Sequence, residues 1–262
     1  MRRWENPVLM KEMRSRMRSG RAYWVMLAYV FFLCIALAIC YVEWRRWNND
    51  IRQWHRLGQE YFRVMVVMQT ILGALLAPAL TSGALTLERE QRTWEMLCLT
   101  LVKPRAILFG KLTSALFYVV LLAFSSMPLI GLCFMFGGVS VGEFAAAYAV
   151  ILGSTFFFGI VGMFTSSLFR KTMTSTAIAY LITLFFTAGT AFLEIFLMDV
   201  WRTGPNGVGF SYLNPIAAVV STFENVPMAW NIPGLPFAAT TLLGYALLSL
   251  GMLPIAVRRV RP

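Results

Sequence analysis

Charge is what this sequence has least of: Asp, Glu, Lys and Arg make up 13% of its 262 residues, against about a quarter in a soluble globular domain. That scarcity leaves too little polar sequence for a soluble catalytic domain. One histidine, His55, and four cysteines at unrelated spacings exclude a disulfide framework and a zinc site. Cys34, Cys40, Cys98 and Cys133 all lie in apolar stretches and read as small buried hydrophobes. The phosphate-binding pattern G-x-x-x-x-G-K-[ST] is missing. Its nearest approach, Gly110-Lys111, lacks both the upstream glycine and the following hydroxyl residue, so ATP is not bound in that manner. No nucleophile elbow, H-E-x-x-H or paired carboxylates appear either, which argues against an enzyme and leaves no catalytic, cofactor or metal residues to name.

Apolar residues, in contrast, make up 58% and come in blocks of twenty or more, each long enough to cross roughly 30 Å of hydrocarbon. The pattern predicts an all-α integral membrane protein with one transmembrane domain over 1–262 and spans near 22–42, 62–87, 108–136, 144–169, 174–198 and 236–257. The run at 22–42 is longer than a signal-peptide core and reads as a retained first span. The net charge is +11, but the basic residues flank the spans, so the lipid bilayer and not nucleic acid is the expected partner. Segments on the side of the termini hold 17 Lys and Arg, and the opposite segments hold 6. That bias predicts both termini in the cytoplasm.

Four segments outside the spans carry structure. Residues 1–20 open with Asn6-Pro7, a helix-start signal. Met10, Met13 and Met17 then recur at helical spacing beside Lys11, Arg14 and Arg18, predicting an amphipathic helix in the interface. In 88–105, Trp94, Leu97, Cys98 and Leu101 share a helical face, while Glu88, Arg92 and Glu95 can pair on the other. Acidic Glu88 and Glu90 open this predicted helix over 88–101, and Pro104 closes it. Residues 43–61 place Trp44, Trp47, Ile51 and Trp54 on one face, as a Trp-anchored interfacial helix would. The external loop 199–235 is rich in Pro and Gly turns and holds a second Asn-Pro start, Asn214-Pro215, before an apolar run too short to span, as in a short re-entrant helix.

Within the spans, Glu194 is the notable charge, either functional or reaching water at the outer end. Gly73/Ala77 and Ala79/Gly83 suit close helix packing, and Pro78 is expected to kink the second span. The hydroxyls of Thr172, Thr174, Ser175, Thr176, Thr183, Thr187 and Thr190 either line a polar passage or bond back to their own helix.

Three features together resemble the permease subunits of type-2 ABC transporters: the basic Asn6-Pro7 helix, the run Glu88–Leu97 continuing through Lys103-Pro104 to Gly110-Lys111, and the late Asn214-Pro215 with its short helix. Where that family usually has glycine, this chain has Gln91 or Arg92. The resemblance implies an exporter-like, multi-pass subunit of the bacterial plasma (inner) membrane, paired with a second permease copy or paralogue. ATP would be bound by a separate ABC ATPase subunit. It further implies that 88–105 is a coupling helix contacting that ATPase through Glu88, Glu90, Arg92, Trp94, Glu95 and Leu97. Glu194, Asn214 and Pro215 would belong to an outer gate or pathway. Two rival readings stay open. A membrane scaffold would use helix 88–101 to hold a soluble partner, and a secondary carrier would need coupling-ion residues that, Glu194 apart, are missing.

Overall fold

A computed structural model of the chain describes residues 10, 12–14, 20–47, 54–92, 104–201, 210–223 and 236–259. Ten α-helices are used below: α1 (Gly20–Trp47), α2 (Trp54–Thr81), α3 (Thr86–Glu90), α4 (Pro104–Ser125), α5 (Met127–Phe136), α6 (Val141–Leu168), α7 (Thr172–Leu184), α8 (Thr190–Trp201), α9 (Pro215–Val220) and α10 (Phe237–Arg259). A π-helical turn, Phe185–Gly189, joins α7 to α8, and a 3-10 turn, Phe210–Leu213, precedes α9. Among the described residues, six helical stretches are long and apolar enough to cross a membrane, as the apolar blocks predict. The protein is a multi-pass membrane protein.

The ends of these helices depart from hydropathy for local reasons. α1 and α2 are each 28 residues, about 42 Å at 1.5 Å per residue, so they overrun the hydrocarbon core. The overrun absorbs most of the segment expected to form a separate interfacial helix. Residues 43–47 continue α1 and 54–61 begin α2, while 48–53 lie outside the described residues. The polar overhangs suit water: Glu43 pairs with Arg46 at 3.6 Å and Glu60 with Arg63 at 3.5 Å, both one helical turn apart.

The third span, expected as one helix, breaks at Ser126. Pro128 lacks the N–H that would continue the ladder, and the Ser126 hydroxyl donates to the Ala123 carbonyl at 2.6 Å. After it, Gly137 and Gly138 adopt φ of 81° and 88°, the left-handed region that suits glycine. A capping box then starts α6: the Ser140 hydroxyl accepts from the Glu143 amide at 3.1 Å, and the Glu143 carboxylate accepts from the Ser140 amide at 2.9 Å.

α6 is the axis of the bundle, with α2 and α10 as its most extensive neighbours. The core around it falls into three layers. One gathers Tyr29, Leu33, Phe62, Met65, Ile151 and Val219. A middle one stacks Phe157 on Tyr245, with Ala74 and Ala77 of α2 close by. The third joins Leu85, Leu108, Leu112, Met163 and Val257. Cys133 is buried, Cys40 half-buried and Cys34 exposed on α1, a correction to the expectation that all are buried; Cys98 lies outside the described residues. α1 faces outward with Tyr23, Trp24, Leu27 and Phe31 exposed, as lipid contact requires.

Close approach explains one glycine in particular. A Cβ at Gly162 of α6 would meet the Pro78 Cα at 3.1 Å and the Pro78 carbonyl at 3.2 Å, besides the Thr81 hydroxyl. Backbone atoms cannot step aside, so Gly162→Ala is expected to destabilise the fold by roughly 1–3 kcal/mol, as over-packing does. Gly251→Ala, at a position with open space around it, should be neutral or stabilising. Thermal unfolding in detergent checks both, and equal melting temperatures for the two variants would refute the packing account.

Candidate functional site

A connected group of ionisable side chains stands at one end of the bundle, called basal here, where α2 ends, α4 and α7 begin, and α6 and α10 finish. At its centre is α3, five residues joined to α2 by a turn. Each of its charged side chains is used. Glu88 meets Lys111 of α4 at 2.8 Å, and Lys111 also meets Glu12 of the N-terminal segment at 3.2 Å. The Lys111 side chain is 7% exposed and the two carboxylates about a quarter, so the trio is largely sheltered. Arg89 donates to the carbonyls of Ser167 and Phe169 at 3.3 and 3.0 Å, where α6 ends and leaves acceptors unfilled. Glu90 accepts from the Thr172 amide and hydroxyl, both at 2.8 Å, where α7 begins and leaves donors unfilled. Glu90 is exposed and is the last residue of that apolar helical stretch.

Hydroxyls complete the latch. Ser166 accepts from the Leu85 and Thr86 amides at 2.9 and 3.3 Å, satisfying the start of α3 from the side of α6. Ser175 donates to the Ser82 carbonyl at 2.9 Å, and Ser82 and Thr176 share a hydrogen bond of the same length. α3 is thus fixed to α4, α6, α7 and the N-terminal segment at once.

The predicted continuous helix over 88–101 requires correction. α3 ends at Glu90, and Arg92 adopts φ 56°, a left-handed conformation that no α-helix continues through. It is the single described non-glycine residue with positive φ. Of Gln91 and Arg92, the two positions the resemblance marks for glycine, Arg92 is the one whose backbone favours it. Trp94, Glu95 and Leu97 lie outside the described residues. So do Lys11, Met17 and Arg18 of the expected interfacial helix; Met10 and Arg14 are exposed, Met13 is partly buried, and all three are helical.

At the opposite end, the expected gate residues belong to or bind one hairpin, 210–223. Glu194 of α8 is buried, 7% exposed, and its carboxylate accepts from the Phe210 and Ser211 amides at 2.9 and 3.3 Å. Asn214 caps α9 through its carbonyl oxygen, which accepts from Ile216 and Ala217, while its Nδ2 donates to the Thr187 carbonyl at 2.8 Å. Pro215 is the buried first residue of α9. Tyr245 of α10 donates to the Leu213 carbonyl at 2.8 Å. Tyr245 lies eight residues past Phe237, so its own Cα is about 12 Å along α10 from that helix's first residue. The hairpin 210–223 is a plug inserted among α2, α6, α8 and α10.

The hydroxyl-rich stretch divides in two. Thr183, Thr187 and Thr190 each donate to the carbonyl four residues back, at 2.9 Å. These back-bonds bracket the π turn, which the hydropathy pattern left invisible. Thr172, Ser175 and Thr176 reach other elements instead. Facing the π turn is an apolar cavity of about 530 Å³, lined by Ile71 and Leu75 of α2, Tyr180, Thr183 and Thr187, and Ile216 of α9.

Sequence reasoning missed Lys111, Arg89, Ser166 and Tyr245 as structural partners. Lys111 had a signal: a lone ammonium a turn inside an apolar stretch demands a counter-charge. Ser166 and Tyr245 had none, since hydroxyls are common in spans. No curated protein matches the chain significantly. A family model described as ABC-2 family transporter protein matches residues 47–256, most of the chain and all but the first of its six apolar helical stretches. The chain therefore belongs to the ABC-2 family of transporter membrane proteins.

Proposed function

We propose that the chain is the permease subunit of an ATP-driven exporter, set in the plasma membrane with both termini in the cytoplasm and driven by a separate ATPase beneath its basal end. The observation that carries this reading is the latch around α3. A push on one short helix reaches α4, α6, α7 and the N-terminal segment together, because each bonds directly to it or to its Lys111 partner. A rigid node of that kind converts a local displacement into a rigid-body tilt of spans. Nucleotide contributes through its higher affinity for the closed ATPase pair, which shifts the permease toward one conformation.

Roles then divide. Glu88 and Glu90 transmit force inward, because their carboxylates are engaged by Lys111 and Thr172. Contact with the ATPase falls to Arg92, Trp94, Glu95 and Leu97. Met10, Lys11, Met13, Arg14, Met17 and Arg18 lie along the inner leaflet as an amphipathic brace. The plug held by Glu194, Asn214 and Pro215 is the outer gate, and its depth beside Tyr245 supports a re-entrant position. The cavity between α2 and α7 is one wall of the path, closed by a second permease copy across it.

Affinity purification of the full chain in mild detergent tests this directly. An ATPase is expected in a one-to-one ratio, and Trp94→Ala with Glu95→Lys should abolish its stimulation while membrane insertion is unchanged. Absence of any ATPase, with a different soluble protein in its place, would transfer the chain to the scaffold reading.

A further inference from the structure

Beside the latch is a second basal feature, which borrows Arg89, Glu90 and Arg92 from the coupling region: a cavity of about 560 Å³ lined by these three with Ser167, Leu168, Arg170 and Arg259. Four arginines and one glutamate line it. The carboxylate is occupied by the Thr172 amide and hydroxyl, and Arg89 is turned to the carbonyls that end α6. Arg92, Arg170 and Arg259 are all exposed around it, contributed by the turn after α3, the link between α6 and α7, and the last turn of α10. Three separate elements converge cations on one concavity, where mutual repulsion works against them unless an anion is shared.

We infer that this cavity binds the phosphate of an anionic phospholipid headgroup, gripped by Arg92, Arg170 and Arg259. Guanidinium fits such a ligand closely, because its planar fork matches phosphate oxygens in pairs. Position selects lipid over a soluble anion. The cavity opens where two apolar spans terminate, and its lip carries Leu168, an apolar side chain 38% exposed. Leu87 on α3 is 50% exposed and Met173, next to Thr172, is 85% exposed. Apolar side chains flanking a cationic hollow at the end of a span suit an amphiphile, with its headgroup in the hollow and its chains along the bundle. Arg92 strengthens the case. Its left-handed backbone is strained for any residue with a Cβ, yet arginine stands there and sets its guanidinium at the cavity.

That strain also supplies the test, because Arg92→Gly removes a cation while relieving the backbone. The full chain would be purified in detergent, exposed to phosphatidylglycerol or phosphatidylcholine, and read by native mass spectrometry for retained lipid. Wild type should retain phosphatidylglycerol in preference, and less of it as salt rises. Arg92→Gly with Arg170→Gln should melt no lower than wild type, yet bind phosphatidylglycerol roughly twenty-five-fold more weakly, about fivefold per cation. Arg45→Gln with Arg46→Gln, removing two exposed cations from the opposite end, should bind as wild type does. Equal retention of the two lipids, or undiminished binding by the Arg92/Arg170 variant, overturns the site. Displacement of the lipid by millimolar inorganic phosphate would reassign it to a soluble anion. Unchanged lipid binding with loss of a co-purifying ATPase would make it a protein contact. If the double variant fails to insert, Arg92→Gly alone, expected to bind about fivefold more weakly, decides by the same readout.

Discussion

Lys111→Met is expected to lower the stability of the folded chain by about 2 kcal/mol and to disconnect α3 from α4. The ammonium lies between Glu88 and Glu12 at 2.8 and 3.2 Å with only 7% of its side chain exposed. Removing one member of a buried ion pair costs roughly 3–5 kcal/mol, because the remaining charge keeps its desolvation penalty. Here the carboxylates are about a quarter exposed, so water recovers part of that loss. Methionine fills the same space, which separates charge from packing. Lys111→Arg should restore most of the stability, since a cation returns to the same two acceptors. Chemical or thermal unfolding in detergent measures the first effect. The second is read as ATPase stimulation in the assembled complex, expected to fall further than stability does. A Lys111→Met protein as stable and as well coupled as wild type would show the trio to be ornamental.

At the other end, Glu194→Ala should release the plug. Two backbone amides, Phe210 and Ser211, donate to this one buried carboxylate. Hydrogen bonds to a charged group are worth about 1.5–3 kcal/mol each, and amides left buried without an acceptor cost a similar amount. A combined loss of about 3 kcal/mol corresponds to roughly a hundred-fold rise in local opening. Amide hydrogen exchange across 210–216 would report it, while α6 should keep its protection. Glu194→Gln retains a carbonyl acceptor and should fall between the two. Uniform exchange in wild type and Glu194→Ala would show that the plug is held by Asn214 and Tyr245 alone. Under the proposed function, a loosened gate also raises basal ATP turnover relative to transport.

Much of this architecture was legible in residue order. Asn214-Pro215 announced α9 because an N-cap and a first-turn proline act within four residues, and the structure has both in place. The break at Ser126 was equally local but hidden: Ser125, Ser126 and Pro128 stand in a stretch whose hydropathy alone reads as continuous. The π turn at Phe185–Gly189 was less visible, since its threonines also occur in unbroken helices. The helix expected from 88 to 101 is not continuous through Arg92, whose left-handed torsion amphipathic spacing does not encode; 93–101 lie outside the described residues.

Among the candidate site residues, Glu88, Glu90 and Glu194 stood out as charges in an apolar chain, yet their roles could not be read from spacing. Glu194 reaches an amide 16 residues away, Glu90 one 82 residues away, and Lys111 a carboxylate 99 residues away. Composition and periodicity by themselves determined that the chain is helical, carries six apolar stretches long enough to cross a membrane and lacks the G-x-x-x-x-G-K-[ST] pattern, because each follows from properties of a local window. Tertiary structure decided which carboxylate meets which cation, that α3 is a latched node and not a free rod, and that four arginines share one hollow. Those outcomes depend on how each helix is rotated and how deep it lies, and both are set by side chains packing across the bundle.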